Sequence, residues 1–189
     1  DLNFRRSGRC VYRPQCAACR ECRQIRVPVA EFRPNRSQRR CWRRGAVLEV
    51  ECRPPVLTRE KYELYRRYLR TRHDRQMSDS WASLENFLYD SPVRTLELAY
   101  RLEGRLVAVG IVDVEPAAFS TVYCYYDPDQ AARSPGTFNI LWTLDLARRQ
   151  GVPYVYLGYY IRDCAKMSYK PNYRPCELLR PDGTWERCE

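Results

Sequence analysis

The chain has 189 residues, 44% of them apolar and 13% aromatic, with a mean hydropathy of −0.64 and a formal net charge of +10. That is enough bulky apolar surface to fold one large domain with a small appendage, which sets aside the disordered, collagen-like and coiled-coil classes. No stretch approaches the roughly 18 to 20 apolar residues that cross a bilayer, so no membrane partner is expected.

Residues 1–44 read as a basic, cysteine-bearing N-terminal region, distinct from residues 45–189. The chain opens at Asp1 within an arginine-rich stretch and without an initiator methionine, so a truncated upstream segment is expected. Within the region, Ile25, Val27 and Val29 alternate as a strand does. It holds 13 Arg against Asp1, Glu21 and Glu31, a balance of +10 that leaves the rest of the chain neutral. Concentrated Arg is the footprint of a phosphate-binding face, because each guanidinium grips a phosphate bidentately and releases condensed counterions. A coding bias explains why only Lys61, Lys166 and Lys170 are lysine, but not the lopsided distribution. Ten cysteines are present, and Cys16, Cys19 and Cys22 stand in Cys-x2-Cys-x2-Cys. Two-residue spacing aims several thiolates at one centre, which suits zinc or an iron–sulfur cluster. The alternative is three reduced, half-buried thiols, and either reading points to the reducing cytoplasm.

Further along, Ala46 to Cys52 reads as a strand ended by Pro54-Pro55. Tyr62, Tyr65 and Leu69 recur at helical spacing after the cap candidate Thr58, and the helix continues to about His73. A second helix is expected from Ser78–Ser80, with Trp81, Leu84 and Leu88 on one face. The period then changes to two: Leu96–Tyr100 and Leu106–Val114 form a hairpin about Glu103-Gly104, and Ser120–Tyr126 makes a third strand closed by Asp127-Pro128. Ser134-Pro135-Gly136 leads into a helix with Ile140, Leu144 and Ala147 on one face, stopped at Gly151, and Tyr154–Tyr159 is a fourth strand. The order β-β-β-α-β gives an α+β chain of three-layer α/β type, compatible with the GCN5-related acyltransferase fold.

Several stretches carry a resemblance in order along nearly the whole chain. They are Phe4-Arg-Arg-Ser-Gly8, the Cys16/Cys19/Cys22 cluster, Arg26-Val-Pro-Val29, Phe32-Arg-Pro-Asn-Arg-Ser-Gln-Arg-Arg40, Leu64-Tyr-Arg-Arg-Tyr68 with Arg72-His73, Val122-Tyr123 with Asp127-Pro128, Tyr154-Val-Tyr-Leu-Gly-Tyr159, and Met167-Ser-Tyr-Lys170 with Tyr173. Together they resemble the bacterial aminoacyl-tRNA–protein transferases, chiefly the leucyl-transferring ones and, as relations, the arginyl-transferring ones. The resemblance implies an enzyme that moves an amino acid, leucine first and arginine as the alternative, from charged tRNA to a protein beginning with Asp or Glu, marking it for degradation. A metal-containing RNA-binding module without transferase activity is the competing class. The chain departs from the family pattern in its missing N-terminal segment, where members carry a further Cys, in Gly45, where an Asn often follows the arginines, and in Pro135.

Such a reaction joins an α-amine to an already activated ester. An α-amino group titrates at about 7.7 to 8.0, so a mild base suffices. With His73 as the sole histidine, no Ser-His-Asp triad is available. The catalytic candidates are Asp127, to orient or deprotonate the amine, with turn-capping as its alternative; Tyr123, Tyr125 and Tyr159, as hydroxyl donors in the cleft; and Lys170. Arg72, His73 and Tyr169, with Lys170, are candidates for binding the acceptor, since a cation is needed to select a carboxylate. Arg36, Arg39, Arg40, Arg43 and Arg44 are assigned to tRNA phosphates. Arg133-Ser-Pro-Gly136-Thr-Phe138 only partly resembles the loop that cradles the pyrophosphate of coenzyme A, and the bulky Phe138 sits where a small residue is needed. No coenzyme A is expected.

Overall fold

The computed structural model describes residues 3–14, 19, 21–72 and 77–188, the side chain of Arg72 excepted. β1 (Arg5–Ser7) and β2 (Cys10–Tyr12) form a small antiparallel ribbon. The remaining strands build one sheet: β3 (Arg23–Pro28), β4 (Glu49–Arg53), β5 (Thr95–Leu102), β6 (Arg105–Glu115), β7 (Ala118–Tyr126), β8 (Tyr154–Tyr160), β9 (Glu177–Leu179) and β10 (Trp185–Arg187). Their order across it is β10-β9-β3-β8-β7-β6-β5-β4. Every pairing is antiparallel except β7 with β8.

Helices cover both faces. On one lie α1 (Arg36–Gly45) and α4 (Pro135–Arg149), over a core that includes Ile25, Val27, Tyr100, Val112, Phe119, Leu144 and Val155. On the other lie α2 (Arg59–Arg72) and α3 (Trp81–Leu84), over Leu64, Tyr65, Leu84, Leu88, Val109, Ile111 and Tyr125. This is the three-layer arrangement expected from the β-β-β-α-β order, extended at one edge by β3, β9 and β10. The strand expected from Ala46 starts only at Glu49, because α1 runs to Gly45 and the chain must turn first.

α1 is the element that periodicity alone does not announce. Asn35 caps it: the Asn35 Oδ1 accepts from the Gln38 amide at 2.9 Å, while the Gln38 Oε1 accepts from the Asn35 amide at 2.9 Å. This reciprocal pair satisfies two of the amide donors that a helix start leaves open. Its buried face is Gln38, Cys41 and Gly45, and its outer face carries Arg36, Arg39, Arg40, Arg43 and Arg44. Gly45 sits on the ring of Phe138 from α4; a Cβ there would lie 2.2 Å from two ring carbons. Phe138 also packs against Trp42 and Tyr100, with centroids 5.5 and 5.6 Å away.

The register of β7 shifts once. Ile111 faces Tyr123 and Val112 faces Thr121, which leaves Val122 as an extra, bulged residue. A bulge reverses the phase of side chains beyond it. Phe119 lies in the α4-side core, whereas Tyr125 lies in the α2-side core.

In an exposed helix Gly45→Ala would stabilise by roughly 0.5 to 1 kcal/mol through backbone entropy. Here overpacking against Phe138 wins, and a net loss of about 1 to 2 kcal/mol is expected from urea unfolding, recovered when Phe138→Leu is added.

Candidate active site

β7 and β8 pair over only three positions, Ala118 with Tyr154, Phe119 with Val155 and Ser120 with Tyr156. Beyond that, the Thr121 hydroxyl donates to the Tyr156 carbonyl at 3.1 Å and the strands part. The gap opens into a cleft of about 600 Å3. Its walls are Thr121, Cys124 and Tyr126 from β7, Leu157 from β8, Tyr68 from α2, and the start of α4 at Gly136 and Thr137. Ser134, the residue before α4, is left-handed (φ 57°, ψ 57°), and Pro135 opens the helix. The positive end of the α4 dipole is thereby turned to the cleft. Phe138 is buried in the core rather than standing over this turn.

Among the described residues the cleft lining contains three cations, Arg5, Lys166 and Lys170, and no Asp or Glu. Lys170 is 5% exposed, and its ammonium donates to the Tyr159 carbonyl. Burial, and then the neighbouring Arg5, pull its pKa down to about 7, with Cys164 opposing. Tyr123 lines the cleft as well; burial pushes its hydroxyl far above the ordinary tyrosine value. At neutral pH such hydroxyls are donors and not bases, so among the described lining residues Lys170 is the group poised to exchange a proton near pH 7.

Of the residues singled out from sequence, the cleft takes Tyr123, Tyr169 and Lys170. Tyr125 lies beyond the Val122 bulge on the α2 side, fully buried, its hydroxyl 2.6 Å from that of Tyr89. The Tyr159 hydroxyl donates to the Asn3 carbonyl at 2.8 Å under the N-terminal ribbon; it is the backbone of Tyr159 that meets Lys170. Asp127 is fully buried at the foot of β7. It accepts from Arg67 at 2.8 Å, from Arg105 at 2.6 Å and from the Asp129 amide at 3.1 Å, capping the 3-10 turn Pro128–Arg133. Arg72 closes α2, while His73 and Cys16 lie outside the described residues. Cys19 is exposed and Cys22 half-buried, and the Cys22 thiol is pushed up by burial and then by Cys19 and Glu21. Among the described residues no three His, Cys, Asp or Glu side chains converge as metal ligands. Sequence reading missed Arg5, Tyr68, Tyr126 and Lys166; Arg5 and Tyr68 stood in quoted motifs, Phe4–Gly8 and Leu64–Tyr68, but without a role.

The five α1 arginines are exposed and, among the described residues, none has an acidic partner. Other N-terminal arginines are spent inside the fold: Arg6 pairs with Asp113, Arg23 with Glu186 and Arg26 with Glu177. α1 meets the rim of the cleft through its inner face, opposite these arginines. The Cys41 thiol of α1 lies 3.6 Å from the carbonyls of Arg133 and of Ser134, and Ser134 lines the cleft.

A three-layer domain whose central parallel pair opens into a cationic cleft belongs to the acyltransferase class. Solved structures of this shape include the C-terminal domain of a putative lysylphosphatidylglycerol synthetase from Agrobacterium fabrum (TM-score 0.62, 13% identity, 88% of this chain and 58% of that one). FemX is another (TM-score 0.57, 11% identity, 87% and 59%). The chain thus spans somewhat under two thirds of those proteins, and the likeness defines the fold. Residues 1–40 match the N-terminal model and residues 60–180 the C-terminal model of arginine-tRNA-protein transferases. The aspartate/glutamate leucyltransferase of Chromobacterium violaceum is 45% identical over 187 residues, 98% of this chain and 77% of that protein. That of Pseudomonas putida is 47% identical over 185 residues, and that of Hahella chejuensis 40% over 186. The chain belongs to the arginine-tRNA-protein transferase family, on its aspartate/glutamate leucyltransferase side.

Folded Lys170 is neutral above about 7, whereas the unfolded chain keeps it protonated up to its ordinary 10.5. The unfolded state thus binds more protons in that window, and stability from this group rises with pH. Relative to Lys170→Met, wild-type stability in urea titrations is expected to gain about 1 kcal/mol per pH unit between about pH 7 and pH 10.

Proposed function

We propose that this chain moves leucine from charged tRNA to the α-amine of proteins whose N-terminal residue is Asp or Glu, in the cytoplasm, as a mark for degradation. The observation that carries the reading is that α1, whose outer face presents five arginines without acidic partners among the described residues, packs its inner face on the turn at the rim of a cationic cleft that holds a buried lysine. In this reading Arg36, Arg39, Arg40, Arg43 and Arg44 grip phosphates outside, and the tRNA 3′ end enters past Ser134.

Inside, the acceptor amine attacks the ester carbonyl, a C–N bond forms, and the C–O bond to the terminal ribose breaks. The neutral amine of Lys170 takes the proton from the attacking nitrogen and passes it to the departing ribose oxygen, which leaves as the hydroxyl. Aminoacyl esters need no covalent enzyme intermediate, so positioning and donor groups supply most of the rate. Tyr123 and Tyr169 contribute hydroxyl donors, and the start of α4 contributes amide dipoles. Asp127 acts from a distance by fixing the end of β7 through Arg67 and Arg105. Coenzyme A has no part in this scheme. Cys16, Cys19 and Cys22 would hold a zinc ion or iron–sulfur cluster; the mutual electrostatic reach of Cys19 and Cys22 suits a shared cation, which would draw both thiols to thiolates and pin the segment structurally.

Purified protein is expected to pass labelled leucine from charged tRNA to peptides beginning with Asp or Glu; transfer of arginine instead would change the donor, and transfer to neither acceptor would refute the reading. Replacing Arg36, Arg39 and Arg40 with Ala should weaken tRNA binding and flatten its dependence on log salt by about 0.7 to 0.9 for each phosphate no longer neutralised. An unchanged affinity and slope would refute the assignment of α1.

A further inference from the structure

Adjacent residues of β1 treat their charge in opposite ways. Arg6 is buried and neutralised: its Nε and Nη2 each donate to Asp113 at 2.8 Å. Arg5 is half-buried and points into the cleft, where its Nη2 donates to the Val122 carbonyl at 2.8 Å. That carbonyl belongs to the bulged residue of β7, whose break in the ladder leaves it free to accept. On the opposite side the guanidinium rests on Gly158 of β8. A Cβ at Gly158 would lie 2.0 Å from Nη1 and 2.8 Å from Cζ, and the residue has φ +81°. Both strands are thus shaped to hold this one group in the wedge where they part. Among the described residues the Arg5 guanidinium has no acidic partner and makes no other hydrogen bond.

An oriented guanidinium held without a counter-charge is an anion site awaiting its anion. The other two cations of the cleft fit that task less well. Lys166 is exposed and solvated, and Lys170 directs its ammonium at a backbone carbonyl. Arg stays charged at every physiological pH and matches a carboxylate with two parallel donors. Phosphates are already served outside the cleft by the α1 arginines. The anion to be met inside, next to Lys170, is the one a few bonds away from the attacking amine.

We propose that Arg5 is the specificity-determining residue for the acceptor: its guanidinium, wedged between Val122 and Gly158, pairs with the side-chain carboxylate of the N-terminal Asp or Glu. This rests on the transfer reading above and gives its acceptor preference a residue. Binding of a carboxylate there also cancels the repulsion that Arg5 exerts on Lys170, which makes Lys170 a stronger base when the correct acceptor is present. An Asn or Gln acceptor leaves the guanidinium poorly paired and Lys170 unassisted.

The test uses the full chain, with peptides identical except for Asp or Asn, and Glu or Gln, at the first position. Three readouts are taken: calorimetric binding of the peptide without tRNA, kcat/KM for leucine transfer at saturating charged tRNA, and the KM for charged tRNA at saturating peptide. Arg5→Gln is expected to lower kcat/KM for the Asp and Glu peptides about 100-fold while changing the Asn and Gln peptides less than about threefold. Arg5→Lys, which keeps the charge and loses the fork, should retain part of the preference. Thermal melts of both variants report whether the fold survives. Equal losses for acidic and amide peptides would overturn the proposal and leave Arg5 a structural strut. A raised KM for charged tRNA with acceptor preference intact would overturn it in favour of a phosphate contact, and a preference abolished by Lys166→Gln but not by Arg5→Gln would move the site to Lys166. If wild type binds the acidic peptide selectively, loses that selectivity with Arg5→Gln, and yet transfers no amino acid, Arg5 stands and the transfer reading fails.

Discussion

Hydrogen bonding between β7 and β8 lasts three residue pairs, and the rest of the molecule is arranged around its failure. Two parallel strands in mid-sheet that separate leave backbone groups and apolar walls exposed, a costly gap unless something fills it. Here the gap is held open by devices on both sides. The Val122 bulge turns β7, Gly158 gives β8 a left-handed residue, and Arg5 is inserted between them. α4 connects the two strands and delivers its N-terminus to the same opening. The cleft is a product of topology first and of side chains second, which is how one fold serves many acyl donors.

Charge is distributed by depth. Pairs such as Arg6 with Asp113 and Lys61 with Glu97, both largely out of water, tie separate elements together; removing one partner from such a pair leaves a buried charge uncompensated. Arg26 is pressed between Tyr154 and Trp185, with its guanidinium 3.8 and 3.9 Å from the ring centroids, and pinned by Glu177. By contrast the α1 arginines make no such bonds among the described residues and remain available. The N-terminal excess of +10 therefore includes structural arginines whose acidic partners come from later in the chain, a presented face on α1, and Arg5, held in the cleft without an acidic partner among the described residues.

The core β-β-β-α-β succession was legible because its strands alternate cleanly and its turns carry Glu103-Gly104, Asp127-Pro128 and Gly151. α1 was not, since it packs through Gln38, Cys41 and Gly45 and shows no apolar stripe; its one signal was Asn35-x-x-Gln38, a capping box hidden among arginines. The three-residue strands β9 and β10 are too short for a period to register. Within the cleft, Lys170 and Tyr169 were reachable through the Met167-Ser-Tyr-Lys170 stretch. Tyr125 was misplaced because alternation gives it the same face of β7 as Tyr123, and the period does not show that Tyr123 reaches the cleft while Tyr125 is covered by Tyr65 and Tyr89. Arg5 was hidden in the general basic balance: a count of charges cannot separate an arginine that meets Asp113 from its neighbour that meets none.

The contact between Gly45 and Phe138 brings the backbone of α1 onto an aromatic ring of α4 with no side chain between them, and Cys41 closes on the turn just before α4. Two helices joined so tightly do not slide past one another. The span from the arginine face to the mouth of the cleft is accordingly fixed, and under the proposed assignment of α1 to tRNA it would work as a ruler: an RNA gripped at one end would present its terminus at a set depth at the other. A short aminoacyl ester without an RNA body would have the right chemistry but nothing to be measured by.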